Sequence, residues 1–91
     1  MILTVGALKP GVPAESVEPT AAQALREVAV VEATSIDIVA GEARLTLRFT
    51  ADNVRDALRV ADHTVVAVRR CAAIPAWRVT ERVGGRWFRR A

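Results

Sequence analysis

An apolar opening run, a helical stretch, two alternating runs, a long amphipathic segment and a Trp-bearing hairpin follow one another in this chain. In that order they predict an α+β fold. Three observations carry the prediction. Ser35–Phe49 contains two runs of period two joined by a short turn. Val54–Ala72 repeats its apolar residues at helical spacing. Trp77–Val83 alternates again and ends at Gly84-Gly85. The resulting β-α-β-β-α-β order is that of a ferredoxin-like two-layer sandwich, here with an antiparallel sheet extended by a C-terminal hairpin strand. The whole of 1–91 reads as one such domain.

Each element has a local cause. Ile2–Leu8 is apolar and ends at Lys9-Pro10-Gly11, a strand followed by a turn. Pro10, Pro13 and Pro19 oppose a regular helix, with room for a short turn around Ala14–Val17. Thr20 and Gln23 form a capping-box pair, so the first helix is expected from Thr20 to near Val30, with Ala21, Leu25, Val28 and Ala29 on its inner face. Ser35–Ile38 and Arg44–Phe49 read as a hairpin across Ala40-Gly41-Glu42. Ile36, Ile38, Leu45, Leu47 and Phe49 then point inward, with Ser35, Asp37, Arg44, Thr46 and Arg48 on the opposite side.

Thr50 is the expected cap of the second helix, with Asp52 in its first turn. Val54, Ala57, Leu58, Ala61, Val65, Val68 and Ala72 form one stripe; Arg69 and Arg70 suit the carbonyl end and Pro75 stops the pattern. Gly84-Gly85 makes a two-residue turn that sets Val83 opposite Arg86, Arg82 opposite Trp87, Glu81 opposite Phe88 and Thr80 opposite Arg89. Glu81 then has Arg86 and Arg90 as diagonal partners. The expected sheet runs fifth, fourth, first, third, second.

Composition narrows the function classes. Alanine and valine dominate the apolar residues and aromatics are scarce, so the core is thin and burial of a further surface by oligomerisation is expected. One cysteine, Cys71, excludes an intrachain disulfide and points to no oxidising compartment. Met1–Leu8 lacks the basic flank of a signal peptide, and no apolar run approaches a membrane span. The expectation is a cytoplasmic protein that does not engage membranes. Charge is uneven. Residues 1–68 balance at −3, whereas 69–91 carry seven arginines against Glu81. Such polarity suits an acidic partner or a second copy of the chain.

No catalytic, cofactor-binding or metal-ligating set emerges, and a non-catalytic protein without cofactors is the expectation. His63 is the only histidine and falls on the polar side of the second helix, where a solvated imidazole is the simpler reading. Cys71 borders the apolar stripe, as a small core residue does. One Cys and one His cannot build a structural zinc site. Asp52, Asp56 and Asp62 are spaced for surface pairs with Arg55 and Arg59. Gly6 and Gly11 do not make a dinucleotide fingerprint or a phosphate loop.

Function is expected on the side of the sheet without helices. Asp37, Arg44, Thr46, Arg48, Arg78, Arg82, Trp87 and Arg89 would lie there. A solvated polar face is one reading. Self-association, most simply as a homodimer, is another: Trp and Arg are enriched at interface hot spots, and Asp37 can pair with an arginine of the other copy. Nucleic-acid binding through the phosphate backbone, by the Arg-rich hairpin, is the third. The RNA-recognition motif shares the topology but carries stacking aromatics on its central strands. Arg44-Leu45-Thr46-Leu47-Arg48-Phe49 presents none outward.

Lys9-Pro10-Gly11-Val12 after the first strand resembles the Pro-Gly turn that opens the first helix of ACT regulatory domains, and the Ser35–Phe49 hairpin fits that family's second and third strands. The resemblance implies pairwise association and amino-acid binding near the turn. The reading taken forward is a self-associating interaction or regulatory module with Trp87, Arg82, Arg48, Arg44, Arg78, Arg89 and Asp37 at the contact.

Overall fold

The opening apolar run forms β1 (Ile2–Val5), an inner strand of a four-stranded antiparallel sheet in the computed structural model, which describes residues 1–91. β1 pairs on one side with β3 (Glu42–Thr50), Leu3 opposite Leu45, and on the other with β4 (Ala76–Arg78), Leu3 opposite Trp77. β2 (Val30–Val39) pairs with the outer side of β3, giving the order β2-β3-β1-β4. Ala40 and Gly41 both have positive φ, 53° and 80°, as a primed hairpin turn between β2 and β3 requires. A register shift between Val31 and Ala33 marks a bulge.

The two helices share one face of this sheet. α1 (Val17–Arg26) and α2 (Val54–Val68) pack Leu25, Val17, Val65 and Val68 against Leu3, Leu45 and Leu47 in a single core. α1 starts three residues before the expected Thr20. Pro19 falls at its third position, in the first turn, where the missing N–H would have had no intrahelical partner. A 3-10 turn over Ala14–Ser16 leads into it, with Ser16 Oγ donating to the Pro13 carbonyl at 2.7 Å. α1 ends at Arg26, short of Val30, and Val28 is exposed rather than inward.

α2 is capped by Asn53, not Thr50. The Asn53 Oδ1 accepts from the Asp56 amide at 2.8 Å and its Nδ2 donates to the Asp56 carboxylate at 3.2 Å. Thr50 instead ends β3. The buried stripe of α2 is Val60, Ala61, Thr64, Val65 and Val68, displaced towards Val60 from the expected one; Val54, Ala57 and Leu58 are half-buried. Thr64 tolerates burial because its hydroxyl donates to the Val60 carbonyl at 2.9 Å. Cys71 is half-buried and packs against the core.

Two further expectations are corrected. Ile36 and Ile38 point to the helix side but are 44% and 72% exposed. Ten helical residues span about 15 Å and ten strand residues about 33 Å, so α1 cannot cover β2 to its tip. The contact between them is marked by Thr34, whose hydroxyl donates to Glu18 at 3.4 Å. The C-terminal hairpin, β5 (Thr80–Val83) and β6 (Arg86–Arg89), is a separate two-stranded sheet and does not widen the main one. The strand expected over Trp77–Val83 is broken at Val79. There Val79 donates to the Ala91 carbonyl and accepts from both the Arg90 and Ala91 amides, so two residues oppose one. The hairpin register itself is the expected one, Val83 opposite Arg86 through Thr80 opposite Arg89. Gly84 and Gly85 turn it with φ of 56° and 85°.

Candidate interaction surface

Alternation fixes which side chains leave the core. On β3 the buried Leu45 and Leu47 force Arg44, Thr46 and Arg48 to the uncovered side. Register adds Ile2 and Arg78, since Ile2 stands opposite both Thr46 and Arg78. Asp37 joins from β2, opposite Arg44. Of the seven residues expected at the contact, six line two depressions, and Asp37, the cross-strand neighbour of Arg44 on β2, lines neither.

The first group is Arg44, Arg78 and Arg89, which surround a depression of about 170 Å³ floored by Ile2, Thr4 and Ala76. Arg89 is steadied by its own chain, Nε donating to the Ala91 carbonyl at 3.2 Å. The three guanidiniums have no carboxylate within salt-bridge distance; the ion pairs of the chain lie elsewhere, at Arg48–Glu32, His63–Glu27 and Arg90–Glu81. Fixed positive charge therefore faces solvent here. Its influence reaches the Met1 ammonium, whose pKa is lowered first by burial and then by Arg78.

The second group is Arg48, Arg82 and Trp87, at the rim of a cleft of about 530 Å³ between the hairpin and the end of β3. The Arg48 guanidinium sits over the Trp87 ring, 5.6 Å from its centroid, and reaches Glu32 at 3.9 Å. Trp87 remains 51% exposed. Arg82 stands opposite Trp87 on the neighbouring strand, as the sequence predicts. Arg90 closes on Glu81 at 2.8 Å, the diagonal pair expected from the register; Arg86, the other candidate partner, is not part of it.

Sequence reasoning missed three features. The cleft lies where β3 runs on past β1, beside a hairpin that leaves the main sheet after Arg78, and nothing in the alternation of Trp77–Val83 announces that departure. His63 is not simply solvated: its Nε2 lies 3.1 Å from a Glu27 carboxylate oxygen, tying α2 to the end of α1. The helix-side shelf of Ile36 and Ile38 is bare. The Lys9–Val12 turn is present, with Gly11 at φ 79° and the Val12 amide donating to the Lys9 carbonyl at 3.1 Å, and it leads into the 3-10 turn before α1. No three His, Cys, Asp or Glu side chains gather as metal ligands would, and no helix is long and apolar enough to cross a membrane. Neither a protein-family model, nor a curated protein, nor a solved structure matches the chain.

Proposed function

We propose that this protein is a non-catalytic interaction module of the cytoplasm that self-associates through the uncovered face of its sheet. The observation that carries the reading is Trp87, 51% exposed on that face and stacked on Arg48. A half-exposed indole with a guanidinium over it is the composition of an interface hot spot. The order β2-β3-β1-β4 with both helices on one side supports a ferredoxin-like sandwich to which the β5–β6 hairpin is an addition. In such an architecture the second face is free for a partner.

Charge favours a second copy. Asp37 and Glu32 lie on β2 at one edge of the face, and Arg78, Arg82 and Arg89 lie on β4 and the hairpin at the other. A two-fold axis parallel to the strands lays β2 of one protomer over β4 and the hairpin of its partner. Each acidic edge then meets a basic edge, twice, which is what an isologous contact demands. Sedimentation equilibrium tests this: wild type should be dimeric, and Trp87→Ala should raise the dimer dissociation constant by about 30-fold or more. An unchanged dimer removes Trp87 from the contact, and a monomeric wild type removes the reading.

The convergence of Arg44, Arg78 and Arg89 on one depression favours a second reading, sequence-independent binding of nucleic-acid phosphates. It predicts a gel shift with bulk DNA or RNA that fades steeply as salt is raised. A shift insensitive to salt, or none at low salt, removes it.

A further inference from the structure

β3 outruns β1. β1 pairs with it from Ala43 to Thr46, and Met1 and Leu47 exchange one more pair of backbone hydrogen bonds, each 2.9 Å. Beyond Leu47, β3 continues to Thr50 with β2 on one side and no strand on the other. Across the gap stands β5, paired with β6 on its far side only. The cleft of about 530 Å³ is this gap, a notch in the sheet collinear with β1.

Both walls of the notch are strand edges. Leu47 turns its N–H and C=O towards β1, so Phe49, two residues on, turns the same way, into the notch. Val79 turns its groups towards Ala91, so Thr80 and Arg82 turn theirs away from β6, into the notch from the other wall. Two facing rows of backbone groups without a strand between them are a template for one.

We propose that the notch accepts one extended peptide strand of a partner protein, antiparallel to both β3 and β5, in which acidic and apolar side chains alternate. Continuing the observed register from Met1, the first inserted residue lies between Arg48 and Thr80 on the uncovered side, where an acid meets the Arg48 guanidinium. The next lies between Phe49 and Glu81 and points to the helix side, towards Val54 and Ala57 at the start of α2, where an apolar side chain fits; Glu81 itself is neutralised by Arg90. The third lies beside Arg82 on the uncovered side and is again an acid. Arg82 has no carboxylate partner of its own, and the Arg48–Glu32 contact at 3.9 Å is loose enough to yield. Among residues 1–91 no two acidic residues stand two apart, so a second copy of these residues cannot set acids against both Arg48 and Arg82. The occupant is a foreign segment reading acid-apolar-acid.

The probe is the blocked peptide acetyl-Val-Glu-Val-Glu-amide, titrated into the intact protein by calorimetry at low salt. Saturable binding at one peptide per protomer is expected. Proline in place of the inner valine removes the N–H that meets the Phe49 carbonyl and should weaken binding about tenfold or more. Lysine in place of both glutamates should abolish it, and Arg82→Glu should weaken the parent peptide about tenfold. No saturation by about 1 mM peptide overturns the proposal. So does a proline peptide that binds as well as the parent, since attraction to surface arginine alone would give that result. Peptide binding is scored per protomer and dimerisation by sedimentation, so either idea can fail without the other.

Discussion

Val79 is the hinge on which the candidate surface depends, and truncating it should cost more than its size suggests. It is 2% exposed and belongs to the core, while its backbone groups hold Arg90 and Ala91 in place. Val79→Ala removes two buried carbons, about 1.6 kcal/mol of transfer free energy. The hole left between the sheet and the hairpin adds to that, for a total of about 2 to 3 kcal/mol. In a domain of 91 residues this lowers the melting temperature by roughly 10 to 20 °C. Urea unfolding followed by circular dichroism gives the free energy, and in a Trp77→Phe background tryptophan fluorescence reports the hairpin through Trp87. Arg86→Ala, at an exposed position of β6, is the control and should change stability by less than about 0.5 kcal/mol. A Val79→Ala loss as small as the control's would mean that the hairpin is not docked through Val79. The notch and the placement of Arg48 against Trp87 would then lose their structural basis.

Two further outcomes test the local chemistry. Asn53→Ala removes the side-chain acceptor for the Asp56 amide and should cost about 1 kcal/mol in urea unfolding, whereas Thr50→Ala, at the position first expected to cap, should not loosen α2. The Met1 ammonium has its pKa lowered in the fold by burial and by Arg78, so the unfolded chain binds more protons just below the ordinary value near 8. Stability should therefore rise with pH through the window that ends at about 8 and level off above it, and Arg78→Ala should flatten the rise. Urea midpoints that fall over that window would contradict the sign.

What the sequence makes legible is whatever a local period decides. The 84–85 turn fixes its own hairpin register, because a two-residue loop with positive φ at both positions leaves no freedom in which residues face each other. Leu45 and Leu47 alternate with Arg44, Thr46 and Arg48, and burial on one side sends the arginines to the other. What stays hidden is whatever depends on relative length. Ile36 and Ile38 have the same alternation as Leu45 and Leu47 and the same orientation. They are bare because α1 begins only at Val17 and its first turn stands at Thr34, so no helix lies over the end of β2 beyond it. The notch is the same effect at the other end of the sheet. β1 is short, β3 is long, and a bulge at Arg90–Ala91 turns the hairpin into a sheet of its own. Arg48, Arg82 and Trp87 were thus readable as members of one face. That they rim a gap with two strand edges for walls follows only once the unequal strands are laid side by side. If a strand enters the notch as proposed, the unequal lengths also make the surface selective. A flat, fully paired sheet face offers side chains alone, whereas this one offers a backbone template with guanidinium groups set to read every second residue of whatever enters it.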